Sequence, residues 1–289
     1  MFKKLSYYLP GLGQSWILVL LLLAGNLVSS AVTFALSALF TPIIPPEQFI
    51  NDYFSPVAYL IMMLFPILYA INMGKKSMLK NSIHSSRNIP IDNNSFGKAG
   101  WVLSALLVAL MIVCSSMVID PINSIMPEPW DWVKQSLDAL INGPKATAII
   151  SVAILAPLLE ELLCRGIILR GLLKHTSVFM AIFWSSLIFA VIHLNPFQAI
   201  PAFLIGILMG WVYYKTGSLK LTILMHFTNN FLSLLISWNF PMLSTSDTFR
   251  NLIPGNVYWL VIGGCALVLV LCIIALANSW KGMSVIKRR

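Results

Sequence analysis

Residues 146–173 read ATAIISVAILAPLLEELLCRGIILRGLL, an apolar run long enough to cross a bilayer whose hydrocarbon core takes ~20 residues of helix. Glu160, Glu161 and Arg165 place three formal charges in its middle, with Arg170 near its end read as a charge of the following connection. An ionisable group at membrane depth costs at least ~2.5 to 3.5 kcal/mol on insertion scales, so it occurs there with a partner or a task. A structural ion pair between helices would account for only two of the three charges, because Arg165 can neutralise one glutamate. On a helix Glu161 and Arg165 are four apart and share a face, whereas Glu160 is turned ~100° away with no cation within one turn. Glu161 is the better structural partner. Glu160 is the better chemical group, since a carboxylate held in an apolar site is suited to accepting a proton. Pro157 lacks an N–H and clashes with the carbonyl one turn back, which predicts a kink just before the acidic pair.

Working outward, the whole chain has the composition of a membrane protein. With 58% hydrophobic and 10% charged residues over 289 positions, and a mean hydropathy of +0.84, it does not read as a soluble core. The sequence predicts an all-α, polytopic membrane bundle of about eight transmembrane helices. They run near Ser15–Leu39, Pro56–Met73, Trp101–Ile119, Ala146–Leu173, Val178–Leu194, Phe197–Tyr214, Leu219–Trp238 and Val257–Ala277. Charge in the connections tests this count. With the N-terminus cytoplasmic, alternate connections hold Lys3, Lys4, Lys75, Lys76, Lys80, Arg87, Lys98, Arg170, Lys174, Lys215, Lys220, Lys281, Lys287, Arg288 and Arg289. The opposite side holds Lys134, Lys145 and Arg250. Fifteen against three predicts a multi-pass protein of the bacterial cytoplasmic membrane with both termini inside. The net charge of +9 then reflects topology and the anionic inner leaflet, and calls for no nucleic-acid partner.

The remaining segments are simpler. The first apolar run, about 25 residues, is too long for a signal-peptide core and reads as a retained anchor. Cys114, Cys164, Cys265 and Cys272 fall in apolar spans without C-x-x-C pairing and read as packing residues. Trp130, Val133, Leu137, Leu140 and Ile141 recur at helical spacing and predict an amphipathic helix on the outer surface. The stretch Gly74–Gly100 reads as a polar, basic, mobile connector. The chain thus divides into 1–145 (three spans, a basic loop and an interfacial helix), 146–238 (a four-helix core) and 239–289 (a last span and a basic tail).

Polar partners for Glu160 lie on other spans. His193 follows Phe189 by four, and His226 precedes Asn230 by four, while His84 and His175 lie in a loop or at a helix end. A lone histidine on an apolar helix is more often a hydrogen-bonded packing residue. Two histidines, two glutamates, an asparagine and an arginine on spans four, five and seven shift that balance toward a site.

Glu160-Glu161-x-x-x-Arg165, Phe189-x-x-x-His193 and His226-x-x-x-Asn230, in that order, resemble the three motifs of the CPBP family (CAAX proteases and bacteriocin-processing enzymes, also called Abi). The resemblance covers about 146–238. Cys164 departs from the bulky or aromatic residue usual before the Arg-Gly pair, and Asn229 adds a second amide. What the resemblance implies is an intramembrane endopeptidase in which glutamate and histidine activate water: Glu160 as general base, His193 holding or polarising the water, His226 and Asn230 donating to the oxyanion, Glu161 and Arg165 as support. Each preorganised donor is worth on the order of 3 to 4 kcal/mol.

Other protease chemistries fit less well. The spans as read contain no Asp for an aspartyl dyad, and the chain has no H-E-x-x-H and no G-x-S-x-G. A divalent metal such as zinc could be taken by Glu160, His193 and His226, but the resemblance favours metal-free activation, so no cofactor is expected. The expected partners are the lipid bilayer and a membrane-associated peptide or protein substrate. Leader-bearing bacteriocin or signalling peptides fit better than prenylated C-a-a-X proteins in a bacterium. Two other classes share the features: a non-proteolytic scaffold, such as a bacteriocin-immunity factor or a regulator of a sensor protein, and, less well, a proton-relaying transporter, for which repeated halves are missing. Straight, level helices would leave Glu160, His193 and His226 at different depths, so tilt, the Pro157 kink or shifted helix ends must bring them to one water-filled cavity. Gly206 and Gly210 predict a close helix approach beside it.

Overall fold

The computed structural model describes residues 2–40, 43–81, 88–93, 95–240 and 247–285, and these are helical with no strand among them. The principal helices are α1 (Leu12–Phe40), α2 (Ser55–Asn81), α3 (Gly100–Asn123), α4 (Asp131–Asn142), α5 (Lys145–His175), α6 (Val178–Val191), α7 (Pro196–Thr216), α8 (Leu219–Asn239) and α9 (Gly255–Ser279). Among the described residues, seven helices are long and apolar enough to cross a membrane. Leu20, Leu27 and Phe34 on α1, Val102 and Leu106 on α3, and Leu260 and Leu267 on α9 are exposed. A helical bundle solvated by lipid needs no polar cover on that surface. The protein is a polytopic helical membrane bundle.

The bundle is arranged around α5, which packs on α2, α6 and α8. Of the seven long helices α5 is the most buried, 56% of its apolar window, and α9 the least, 11%. Helices α1 and α2 pair closely because Gly25 carries no side chain: a Cβ there would meet the Met62 carbonyl oxygen at 2.3 Å. The Gly206/Gly210 stripe works similarly on α7, its positions lying against Ser186 and Ile182 of α6, with a Cβ contact of 3.1 Å at each.

The fifth expected span is shorter than its sequence suggests. Helix α6 stops at Val191 after 14 residues, about 21 Å of rise, too short for an unaided crossing. Leu194 sits at φ 55. Asn195 then caps α7, its side chain accepting from the Phe197 amide at 3.0 Å, with Pro196 in the first turn. Proline disfavours helical backbone at the residue before it, so Asn195-Pro196 closes one helix and starts the next. His193 lies in the intervening turn, past the helix end.

Helix α5 changes its winding around the acidic pair. Ile149–Leu155 and Leu162–Leu169 are π-helical, and Ala156–Glu161, with Pro157 in its first turn, is α-helical. Wider turns of this kind often mark functional sites in membrane and soluble helices alike. The missing N–H of Pro157 is thus absorbed where the preceding winding relaxes.

Three readings of the sequence need correcting. Arg170, counted as a loop charge, is fully buried, its guanidinium donating to the carbonyls of Ile89, Leu5 and Tyr8; it ties the N-terminal segment and residue 89 to α5. The connector is not free throughout. Within it the Asp92 side chain accepts from the Leu219 amide at 2.8 Å, and the Ile91 carbonyl accepts from Tyr213 at 2.7 Å. An aspartate does lie in a span: Asp120 of α3 is buried and accepts from Tyr258 and from the Phe249 amide, each at 2.9 Å. His84, Arg87, Lys287, Arg288 and Arg289 lie outside the described residues.

The amphipathic segment forms α4, with Val133 buried and Trp130 and Trp132 exposed and stacked. Trp238 at the end of α8 donates to its Ile141 carbonyl at 3.0 Å. Membrane orientation follows from charge alone and is open to test. Single cysteines placed at Lys80 and Lys281 should react with an impermeant thiol reagent from one side, and one at Lys134 from the other. Lys80 and Lys281 reporting from opposite sides would overturn the even crossing number.

Candidate active site

The π-to-α-to-π winding of α5 presents Glu160 and Glu161 to different neighbours. Glu161, fully buried, receives Arg165 Nη1 at 2.6 Å on Oε1, one helical turn along. The same oxygen receives His226 Nδ1 of α8 at 3.1 Å. A carboxylate only accepts, so the hydrogen-bond network assigns a proton to Nδ1, and in the neutral imidazole Nε2 is then the acceptor. Arg165 Nη2 also donates to the Gly206 carbonyl at 3.2 Å, which the side-chain-free surface of α7 leaves reachable. The guanidinium lies over the Phe189 ring, 4.3 Å from its centroid, a favourable site for a cation.

Glu160 faces the other way. Tyr59 of α2 donates to its Oε1 at 2.5 Å. Its Oε2 is buried without a hydrogen-bond partner and lies 4.0 Å from His226 Nε2. The two carboxylates, adjacent in sequence, are thus separated in function by the imidazole between them: Nδ1 is engaged by Glu161, and Nε2 faces Glu160. At 4.0 Å the two facing atoms are too far apart to bond each other, and with a neutral imidazole both are acceptors.

The other expected site residues lie beside Phe189 and further along α8. His193 packs edge-on against Phe189, 5.0 Å between centroids, and its Nδ1 is bonded to the Phe189 carbonyl at 2.7 Å. It makes no hydrogen bond to Glu160. Phe189 in turn stands edge-on to His226, at 5.4 Å, so one ring separates the two histidines. Asn230 Nδ2 donates to the Val152 carbonyl at 2.8 Å, and its Oδ1 accepts from Asn229 at 3.1 Å. That use leaves one Asn230 N–H for another acceptor. Asn229 is anchored in turn by Ser116 of α3, at 3.0 Å. Among the described residues no group of three or more His, Cys, Asp or Glu is gathered as a metal set, so Glu160, His193 and His226 are not arranged as ligands here.

Tyr59 is the site neighbour that sequence inspection missed. It contacts Glu160 across 101 positions of chain, and its only local signal is a phenol in the middle of an apolar helix, a polar handle that seeks a partner.

Residues 142–232 match the family model described as type II CAAX prenyl endopeptidase Rce1-like. No curated protein and no solved structure matches the chain. The match starts in the last turn of α4 and ends within α8, so it takes in the buried carboxylates and the histidines together. The segment that builds this site belongs to the CPBP, or CAAX-protease, family.

Proposed function

We propose that the protein is an intramembrane endopeptidase that hydrolyses a peptide bond in a membrane-associated peptide or protein. The observation that carries the reading is the pair of acceptors, Glu160 Oε2 and His226 Nε2, facing each other at 4.0 Å within a buried site. A reactant water donating one proton to each has its oxygen free to attack a carbonyl carbon. Glu160 accepts the proton as the new C–O bond forms, and delivers it to the departing amine as the C–N bond breaks. We assign the remaining Asn230 N–H as the donor that serves the developing oxyanion. In this assignment His226, rather than His193, shares the water with Glu160. Glu161 holds the imidazole in the tautomer that makes Nε2 an acceptor, as carboxylate partners of histidine do elsewhere. The family's activity fits a residue set that needs water at membrane depth.

Leader-bearing peptides of a bacterial cytoplasmic membrane are the substrate class we favour. Comparative peptidomics of cells carrying the wild-type chain or Glu160→Ala identifies it. The expected result is at least one membrane-derived peptide whose trimmed form disappears in the variant and returns with the wild-type gene. An unchanged peptidome, with any phenotype rescued equally by Glu160→Ala, would establish a scaffold instead.

A further inference from the structure

The segment matching the family model begins at residue 142, yet one oxygen of the proposed base is held from α2, far upstream. Tyr59 Oη donates to Glu160 Oε1 at 2.5 Å, and among the described residues this is the only hydrogen bond Glu160 makes, since Oε2 has none. We infer that Tyr59 is a positioning residue: its phenol holds one oxygen and so fixes the plane of the Glu160 carboxylate, with the other oxygen directed at His226 and the substrate. The inference rests on the endopeptidase reading for its consequence, though not for the bond itself.

The surroundings of Tyr59 are those of a fixed donor. On one side Ser29 of α1 donates to the Ala58 carbonyl at 2.7 Å, and the Gly25 surface lets α1 close on Met62. On the other, Ser55 and Ser151 hydroxyls meet at 3.3 Å and Thr147 donates to the Asp52 carbonyl at 2.7 Å, tying α2 to the first half of α5. The register of α2 is thus set by four contacts within about two turns of Tyr59. The last torsion of a glutamate is broad, so without a donor the carboxylate plane takes many orientations. A phenol bonded to one oxygen narrows that spread, and a neighbour locked by its own packing does so at little entropic cost. The arrangement also explains why an N-terminal helix with no motif of its own sits against α5.

The test uses the full chain purified into lipid vesicles, with Tyr59→Phe, Glu160→Gln and the double variant. Infrared spectra of wild type minus Glu160→Gln isolate the Glu160 carboxyl band, and Tyr59→Phe minus the double variant isolates the same band without the phenol. The band should move between the two pairs; identical bands would overturn the inference. Turnover is followed with an internally quenched peptide carrying the cleavage site that the comparative peptidomics identifies, normalised to protein that elutes as a single folded species. Tyr59→Phe should lower kcat roughly 10- to 100-fold with KM within about twofold, the size expected for losing one hydrogen bond to a charged group. A wild-type kcat per folded molecule, alone or with reduced thermal stability, would leave Tyr59 a packing residue and overturn the inference. Failure of the wider reading looks different: Glu160→Gln would then turn over as wild type does, while the band shift still decides whether Tyr59 holds Glu160.

Discussion

Glu160→Gln protein is expected to reach the membrane at the wild-type level, unfold at the wild-type temperature and trim no peptide. The amide keeps the volume and one carbonyl oxygen, so Tyr59 retains its acceptor. Its NH2 replaces an acceptor that faces another acceptor, His226 Nε2, so nothing buried is left less satisfied than before. What is lost is the capacity to take a proton. General-base assistance contributes roughly 100- to 10,000-fold, and the neighbouring carboxylate, Glu161, is already bonded through Oε1 to Arg165 and to His226 Nδ1. Activity should therefore fall by at least that range, read as cleavage per folded molecule, with melting and membrane abundance as controls. Full activity in this variant would remove the central residue of the proposed mechanism.

Arg165→Ala should fail in the opposite way, by losing the protein. The guanidinium is fully buried and satisfies Glu161, the Gly206 carbonyl and the Phe189 face at once. Its removal leaves the Glu161 carboxylate at 0% exposure with His226 alone, and breaking a buried pair from one side costs about 3 to 5 kcal/mol. Set against a typical stability of about 5 to 15 kcal/mol, that is enough to deplete the folded population. Arg165→Lys should recover little, because a single ammonium cannot serve a carboxylate and a carbonyl in two directions while lying on a ring. The checks are steady-state abundance and thermal melting. An Arg165→Ala chain as abundant and as stable as wild type, yet inactive, would show that Arg165 belongs to the chemistry and not to the support.

These two outcomes separate because the sequence places the two glutamates on different faces, and the helix rule that shows this needs no structure. The Glu161–Arg165 pair, the glycine approach of α7 to α6 and the amphipathic α4 are all set by spacing of three or four residues, which is why they are legible in the chain. The rest depends on contacts that spacing does not encode. Tyr59 meets Glu160 across 101 positions, and nothing in the apolar run around it says which way the phenol points. Arg170 reads as an inner-surface charge because cations near helix ends usually reach for water, whereas three backbone carbonyls from elsewhere in the chain enclose it. The role of His226 turns on which oxygen of which carboxylate each ring nitrogen meets, a matter of rotamers. The end of α6 was the one feature with an overlooked local cue, since Asn195-Pro196 marks a helix stop and start.

The brevity of α6 reaches beyond the protein into the lipid. A helix of about 21 Å facing a hydrocarbon layer of about 30 Å falls short by roughly 9 Å. Phe179 and Val191 near its two ends are exposed, so bilayer, and not only protein, must make up part of that difference. Lipids accommodate such a mismatch by thinning, at a cost of fractions of a kcal/mol for each ångström. The leaflet beside α6 is thereby drawn toward the turn that carries His193 and Asn195. Membrane thickness becomes a mechanical input to the site: a thin bilayer meets the turn without strain, and a thick one must be dimpled to reach it. Under the proposed function, the surrounding lipid would act as a compliant part of the wall around the site.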